Sequence, residues 1–208
     1  MRFYENLYWK TTLSCDTVLL ADSCAELDQW VMDNMTNNPD PLPEHFHIYD
    51  VYNNYNFFAY PLPEVHQLYQ NICECFSTVS DVTDMWIKAW VNVYKSGMSH
   101  TWHSHKTHTW LDNQQYKDDH TSWHGIYCVV GDDTCTTYKH TETQQTVHIP
   151  WKANQLALIE NKENWLHRSW KPKQGQQRIT VAFNIMHRES IDTFRYVNHW
   201  IPVIANKH

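Results

Sequence analysis

A change of hydrophobic period near residue 85 constrains the fold of this chain more than any other feature. In the segment 86–94, Trp-Ile-Lys-Ala-Trp-Val-Asn-Val-Tyr, β-branched and aromatic residues dominate, as is typical of β-strands. Similar segments follow, with polar turns between them, at 125–130, 134–140, 145–150, 155–160, 165–170 and 178–186. Because no helical pattern separates these strands, they predict an antiparallel sandwich or barrel.

The first 84 residues carry the period of helices instead. Ser23 and Glu26 form a capping-box pattern ahead of apolar residues at helical intervals, which predicts that a helix begins there. A second helix is predicted to begin at Pro63, because apolar residues again share one face of the segment that follows. These residues are Val65, Leu68, Tyr69, Ile72 and Phe76.

The length of 208 residues is typical of one domain with one substantial core. With only 4 glycines and 8 prolines, the chain shows no flexible linker that would separate two domains. We therefore predict a single domain, 1–208, built on a jelly-roll core. In it, a mixed helical and strand part (1–84) supports the β core (85–188), and a C-terminal extension (189–208) follows.

Composition and charge narrow the range of functions. No apolar run approaches the roughly 18 residues that cross a bilayer, and the N-terminus lacks the apolar region of a signal peptide. We therefore expect a cytoplasmic protein without a membrane partner. The net charge of −7 argues against a nucleic-acid partner, because binding of the phosphate backbone needs a basic surface. The 6 cysteines show no CxxC spacing and are expected to be free thiols.

Three histidines on two predicted strands form a candidate metal site. The chain has 15 histidines, so their spacing has to identify a site and their number cannot. His103 and His105 are two residues apart, and in an extended strand such residues project from the same side. A jelly roll brings distant strands together, so His167 can complete a three-point site with open positions. Nothing specific supports a metal role for His100, His108, His120 or His124.

The last predicted strand has one apolar face and one polar face. Alternation places Arg178, Thr180 and Asn184 on the polar side, and isoleucine, valine and phenylalanine side chains on the other. An ordinary solvated strand could look the same. A guanidinium group, however, binds a carboxylate through two parallel, charge-assisted hydrogen bonds, so Arg178 is also a candidate anion-binding residue.

Several motifs occur in a recognisable order along the second half of the chain. They are Trp90-Val-Asn-Val-Tyr94, Gly97, His103-x-His105, Gly125-Ile-Tyr127, the strand at 156–159, His167 and Arg178-Ile-Thr-Val-Ala-Phe-Asn184. This order resembles the iron(II)/2-oxoglutarate-dependent dioxygenases, specifically a small group common in marine phages and bacteria, over about residues 86–186. The resemblance implies a mainly β fold, the double-stranded β-helix, with a few N-terminal helices. It also implies iron(II), the cosubstrate 2-oxoglutarate and O2 as reactants.

The resemblance also implies roles for individual residues. Iron(II) would be held by His103, His105 and His167, with no catalytic residue beyond these ligands. The far carboxylate of 2-oxoglutarate would pair with Arg178 and accept a further hydrogen bond from Thr180. The candidates to line the cosubstrate pocket are Asn92, Tyr94 and Tyr127. Hydroxylation of a peptidyl side chain or of a small molecule is the implied reaction.

One position departs from the pattern of these oxygenases. His105 stands where most of them have an aspartate or glutamate, so iron either sits among three histidines or takes an acid from elsewhere. The segment 106–120 is an insertion relative to the compact pattern, and it contains Asp112, Asp118 and Asp119. Its polarity and length suit a lid over an active site, and they suit a surface insertion equally well.

Two other functions remain open on the sequence alone. Gly97 followed by the two histidines also matches the first motif of the cupins, among which the thiol dioxygenases use three histidines. Thr109 or Trp110, however, replaces the glutamate of that motif, and cupins give no role to Arg178. The third candidate is a non-catalytic jelly-roll module, in which some of the 11 tryptophans would bind a sugar or a protein.

Overall fold

The structure of the protein is a computed structural model. It describes residues 1–35, 55–94, 101–105, 108–111, 114–117, 122–161, 164–169, 173–193 and 199–204. The helices are α1 (Thr17–Met35), α2 (Pro63–Ser77) and α3 (Arg188–Thr193), with a 3-10 turn at Phe57–Ala59. The strands are β1 (Arg2–Tyr4), β2 (Tyr8–Thr12), β3 (Met85–Tyr94), β4 (His108–Leu111), β5 (Gln114–Lys117), β6 (Trp123–Val130), β7 (Cys135–His140), β8 (Thr146–Pro150), β9 (Gln155–Glu160), β10 (Trp165–Ser169), β11 (Arg178–His187) and β12 (Ile201–Pro202).

Two antiparallel sheets dominate the fold. The large sheet has seven strands in the order β1-β2-β9-β6-β11-β3-β12, and the small sheet has the order β10-β7-β8. Strands β4 and β5 form a separate hairpin. Ile126 and Cys128 of the large sheet pack in one buried cluster with Tyr138 and Ile149 of the small sheet. The two sheets therefore face each other. The predicted antiparallel β architecture is therefore confirmed.

The outer face of the large sheet is apolar and is covered by the helices Thr17–Met35 and Pro63–Ser77. Strand residues such as Val91 and Phe183 are buried there against Leu20 of α1 and Leu68 of α2. A Cβ atom on Gly125 would lie only 2.0 Å from Cζ of Phe183, so glycine makes room for that ring. Burial of such side chains stabilises the fold by roughly 1.5–3 kcal/mol each.

The inner face of the large sheet is polar along its two central strands. Register places Arg178 opposite Tyr94, Thr180 opposite Asn92, and Asn184 opposite Lys88. The side chains of such pairs project from the same face, because successive residues of a strand alternate between faces. The polar residues of β3 and β11 therefore line the space between the two sheets.

The sequence located the core strands and the second helix. All seven predicted strands between 86 and 186 are present, and their ends differ from the prediction by at most two residues. Trp170, the last residue of one of them, lies outside the described residues. The short strands β1 and β2 and the hairpin β4–β5 were not predicted. No helix within the described ranges has both the length and the apolar character that a membrane span requires.

The predicted start of the first helix was wrong. Helix α1 begins at Thr17, and the Asp16 carboxylate accepts hydrogen bonds from the backbone amides of Val18 and Leu19. An acceptor ahead of the first turn satisfies amides that have no partner inside the helix. Ser23 lies within the helix, and its hydroxyl donates to Glu64 of α2. The pair of Ser23 and Glu26 is therefore not a cap.

Candidate functional site

An isolated β-bridge between His103 and His167 joins the segment that contains His103 and His105 to the small sheet. The backbone amide of His103 donates to the carbonyl of His167 at 3.1 Å, and the amide of His167 donates back at 2.8 Å. Residues that exchange both hydrogen bonds stand directly opposite each other, with their side chains on the same face. The two imidazole rings accordingly lie with their centroids 4.2 Å apart.

His105 completes a cluster of three imidazoles. One potential ligand nitrogen from each of His103, His105 and His167 lies within 4.8 Å of the other two. The ring centroid of His105 is 5.5 Å from that of His103 and 4.9 Å from that of His167. The sequence interval of two and the backbone bridge together explain this convergence, and the structure thus brings the three predicted ligands together.

Hydrogen bonds orient two of these rings for metal binding. Nδ1 of His103 donates to the carbonyl oxygen of Thr101 at 2.8 Å, and Nδ1 of His105 pairs with Oδ1 of Asn184 at 2.6 Å. Both oxygens are acceptors, so the hydrogen is on Nδ1 and the lone pair is on Nε2. Burial lowers the pKa of His103, against a smaller opposing effect of its bond to Thr101. The ring is thus kept in the neutral form that a metal needs.

A fourth histidine, which was not predicted to take part in the site, supports the cluster. The ring of His124 lies parallel to those of His105 and His167, with centroids 4.6 and 5.1 Å away. Its Nε2 pairs with the hydroxyl of Tyr138 at 2.8 Å, and its Nδ1 pairs with Oδ1 of Asn161. Burial lowers the pKa of His124 to about 4, although the bond to Asn161 opposes the shift and His103 adds to it. His124 is therefore a neutral supporting ring with both nitrogens engaged.

A small pocket lies beside the cluster. Its walls come from the starts of β6 and β10, the end of β9 and the residue between the paired histidines. The lining residues are Ser104, His105, His124, Tyr138, Ile159, Glu160, Asn161, Trp165 and His167. One edge of the histidine cluster thus lines this pocket.

A buried arginine lies at the other end of the inner face. Arg178 is 1% exposed and donates from Nη1 to the carbonyl of Cys135 at 3.2 Å and from Nη2 to Oγ1 of Thr136 at 2.9 Å. Its guanidinium also lies 5.3 Å from the ring centre of Tyr94. Nε has no hydrogen-bond partner among the described residues, and no carboxylate there pairs with the guanidinium. A buried charge in this state is costly until an anion joins it.

Asn92, Tyr94 and Thr180, which were predicted to bind the cosubstrate, lie on the same face as Arg178, whereas Tyr127 does not. Nδ2 of Asn92 donates to Oγ1 of Thr180 at 3.4 Å, and the hydroxyl of Ser169 donates to that of Tyr94 at 3.0 Å. Burial raises the pKa of Tyr94, against an opposing effect of Arg178, so its phenol stays neutral. Tyr127 instead points to the outer face, where its hydroxyl donates to Asn154 at 2.6 Å.

Comparison with known proteins identifies the fold. No protein-family model and no curated protein sequence matches this chain. A prolyl hydroxylase from Trichoplax adhaerens, solved with a peptide fragment of hypoxia inducible factor, superposes with a TM-score of 0.60 at 12% identity, over 91% of this chain and 87% of that one. The non-heme alpha-ketoglutarate-dependent carbocyclase SnoK gives 0.54 at 11% identity, over 86% and 79%. AviO1 from Streptomyces viridochromogenes gives 0.54 at 12% identity, over 88% and 90%.

The chain has the fold of the iron(II)/2-oxoglutarate oxygenases. The predicted double-stranded β-helix with a few N-terminal helices is thereby confirmed. The narrower likeness to a phage and bacterial group stays a prediction.

The donor set of this oxygenase fold suits a divalent transition metal. Three neutral imidazoles bind iron, zinc, nickel or copper, and a three-point set leaves positions open for further ligands. Within the part of the chain that the structure describes, no aspartate or glutamate belongs to the cluster. Asp112, Asp118 and Asp119 lie outside the described residues, so the alternative of an acid from the 106–120 insertion stays a prediction. His100 and His120 lie outside them too.

Proposed function

We propose that this protein is an iron(II)- and 2-oxoglutarate-dependent dioxygenase that hydroxylates a small molecule or a peptidyl side chain. The observation that carries the proposal is that two features lie in the same space between the two sheets. A cluster of three histidines lies at one end, and the buried Arg178, with an Nε that lacks an acceptor among the described residues, lies at the other. A ligand with a metal-binding end and a carboxylate end fits both.

In this proposal His103 and His105 hold the metal through Nε2, because Thr101 and Asn184 keep these two rings in the required tautomer, and His167 supplies the third nitrogen. When bound, iron and the cosubstrate supply the activation of O2 for oxidation of a C–H bond, with 2-oxoglutarate converted to succinate and carbon dioxide. The protein's own contribution is to orient both reactants and to exclude water from the space between the sheets.

The arginine end would bind the far carboxylate of 2-oxoglutarate. The guanidinium of Arg178 supplies charge and directed donors, and Thr180, whose oxygen already accepts from Asn92, can donate its own hydrogen. Tyr94 stays neutral and can also donate. Tyr127 is not part of this proposal, because its hydroxyl lies on the outer face.

The proposed substrate class includes both small molecules and peptidyl side chains. The prolyl hydroxylase with a similar fold was solved with a peptide, and SnoK is a carbocyclase, so proteins of this fold differ in the reaction they catalyse. The rings of His103 and His105 are only partly buried, so one side of the cluster would be accessible to a substrate. Both a small molecule and a peptidyl side chain are compatible with that access.

Binding of iron(II) and 2-oxoglutarate under nitrogen tests the proposal directly. We expect a visible charge-transfer band of the metal chelate in the wild-type protein. The Arg178→Ala variant should need at least about tenfold more 2-oxoglutarate to form it, because a charge-assisted pair of this kind contributes roughly 1.5–3 kcal/mol. Lys152→Ala, which removes a charge from an exposed lysine, is the matched control and should leave the band unchanged.

An absent band at saturating iron(II) and 2-oxoglutarate, with the metal still bound, would overturn the proposal. The three-histidine cluster would then favour a metalloprotein of the cupin type, and loss of metal binding as well would favour a non-catalytic module. Metal analysis of the same samples separates these two outcomes.

A further inference from the structure

His105 is the proposed metal ligand that secondary structure holds least. His103 and His167 exchange two backbone hydrogen bonds, so the bridge between them fixes both backbones. His105 lies two residues beyond this bridge and belongs to no strand. The torsion that turns an imidazole about its Cβ–Cγ bond has broad minima and does not fix the ring by itself. Contacts with neighbouring side chains must therefore set the plane of the His105 ring.

Asn161, the residue that follows β9, reaches the backbone of His105. Its Nδ2 donates to the carbonyl of His105 at 3.4 Å and to Oγ of Ser122 at 3.0 Å. Its backbone amide donates to the carbonyl of Ser122 at 2.8 Å, which ties the end of β9 to the residue ahead of β6. Because Nδ2 is the donor in both side-chain contacts, Oδ1 is the acceptor of the same amide group. Asn161 is thus held in one orientation beside His105.

The same amide group also orients His124. Oδ1 of Asn161 can only accept, so Nδ1 of His124 carries the hydrogen of that contact. Nε2 then has the lone pair, and the hydroxyl of Tyr138 donates to it at 2.8 Å. Burial raises the pKa of Tyr138, against a smaller opposing effect of Arg178, so the phenol keeps the hydrogen that it donates. Both nitrogen-bearing edges of the His124 ring are therefore fixed.

The fixed ring of His124 lies against the ring of His105. The two planes differ by 8° and the centroids are 4.6 Å apart, a separation typical of offset stacked rings. A stacked neighbour opposes rotation of the His105 ring about its Cβ–Cγ bond, because a turn would bring the two rings into collision. The contact of Nδ1 with Asn184, at 2.6 Å, holds one edge of the same ring. His105 is therefore constrained at its carbonyl, at one face and at one edge.

We propose that Asn161 is a positioning residue for the metal site, which acts on His105 through its carbonyl and through the ring of His124. The inference rests on the three-histidine metal site of the proposed function and adds a residue that the proposal did not include. A carboxylate can turn and still offer an oxygen, whereas an imidazole binds a metal only along the lone pair of one nitrogen, in the plane of its ring. The ring plane therefore has to be set to within about 10–20°.

Cobalt(II) is a suitable probe, because its visible absorption bands depend on the geometry of its ligands. In the folded protein, Asn161→Ala should shift and broaden these bands. It should also weaken zinc binding at least about tenfold, the loss that removal of a partner of a metal ligand typically produces. His124→Leu should change the bands in the same way. His124→Phe keeps a flat ring against His105 and should retain more of the wild-type spectrum than His124→Leu.

Asn154 provides the matched control, because it is another partly buried asparagine whose side chain makes several hydrogen bonds, and these lie away from the cluster. Its Oδ1 accepts from the hydroxyl of Tyr127, and its Nδ2 donates to the carbonyl of Cys15. Asn154→Gly suits the φ of 66° at this position. It should lower the free energy of unfolding and leave the cobalt(II) spectrum and the zinc affinity unchanged.

Three results would overturn the inference while the metal site stands. The first is an unchanged cobalt(II) spectrum in Asn161→Ala. The second is an equal change in Asn154→Gly, which would assign the effect to loss of stability alone. The third is an equal change in His124→Phe and His124→Leu, since the stacked ring would then have no effect on His105. Absence of cobalt(II) and zinc binding by the wild type would overturn both the inference and the proposed function.

Discussion

On strand β11, Val181 and Phe183 point toward the helices, whereas Arg178 and Asn184 point toward the small sheet. The side chains of the first pair pack against apolar neighbours, whereas Arg178 donates to residues of β7 and Asn184 accepts from His105. One strand therefore serves two purposes that alternate residue by residue. Changes on the outer face should alter stability without altering ligand binding, whereas loss of an inner-face side chain that supports a metal ligand, such as Asn184, should alter metal binding.

The largest expected effect is on the outer face. Phe183→Ala removes a fully buried ring that fills the space above Gly125, and such changes cost about 3–5 kcal/mol in the free energy of unfolding. Urea unfolding of the metal-free protein measures this loss. Zinc affinity of the folded fraction should stay within about twofold, because outer-face changes do not touch the cluster. A much weaker zinc affinity would show that the two faces are coupled.

The next largest effect is a loss of stability at low pH that depends on His124. The pKa of His124 is about 4 in the folded protein and about 6.5 in an unfolded chain, so the unfolded state binds more protons between these values. The free energy of unfolding of the metal-free protein should therefore fall as pH decreases from 6.5 to 4, by on the order of 3 kcal/mol. It should not depend on this group above pH 6.5.

Urea unfolding at a series of pH values measures that decline. His124→Gln is the control, because glutamine can still hydrogen-bond but does not titrate. The variant should be less stable at pH 7 and should show a shallower decline between pH 6.5 and 4. An equally steep decline in the variant would assign the acid sensitivity to other groups, including His103, whose pKa burial also lowers.

A smaller effect tests the support of the metal ligands. Asn184→Ala removes the acceptor of the Nδ1 hydrogen of His105, and loss of such a partner typically weakens metal affinity 10–100-fold, or about 1.4–2.7 kcal/mol. Competition with a chromophoric chelator measures zinc affinity. Asn184→Asp keeps an acceptor at the same place and should retain the affinity. Equal weakening in both variants would argue that Asn184 acts on packing and not on His105.

The smallest effect is at the arginine end. Tyr94→Phe deletes the acceptor of the hydroxyl of Ser169 within a buried site, which should lower the free energy of unfolding by about 1 kcal/mol. Thermal unfolding detects a change of this size, and the zinc affinity should not change. A loss of several kcal/mol would indicate that Tyr94 supports Arg178 much more strongly than one hydrogen bond explains.

Much of the architecture could be predicted from the sequence, because strand periodicity and the interval between His103 and His105 are local properties. Strand β1 and its partner β2 escaped detection, since they are short and their residues are largely exposed or half-buried. Helix α1 was expected to begin at Ser23, because a serine followed by a glutamate matches a capping box whether or not a helix begins there.

The contacts of the site depend on register, which the sequence did not reveal. Tyr127 lies on the outer face because it pairs with Val181, and a register shift between Ile179 and Thr180 precedes that pair. A displacement of one residue exchanges the two faces of a strand, so periodicity alone could not decide its side. His124 was missed for the same reason, since only the pairing of β6 with β11 brings it beside His105.

The bridge between His103 and His167 also bears on the order of folding. It closes a loop that contains β7 and β8 of the small sheet, and His105 contacts Asn184, which is 79 positions away in the chain. Contacts of such long sequence separation form late, after the entropy of closing the intervening chain has been overcome. The metal site can therefore assemble only when both sheets have met. Metal uptake during refolding should then report completion of the fold, and bound metal should slow its opening.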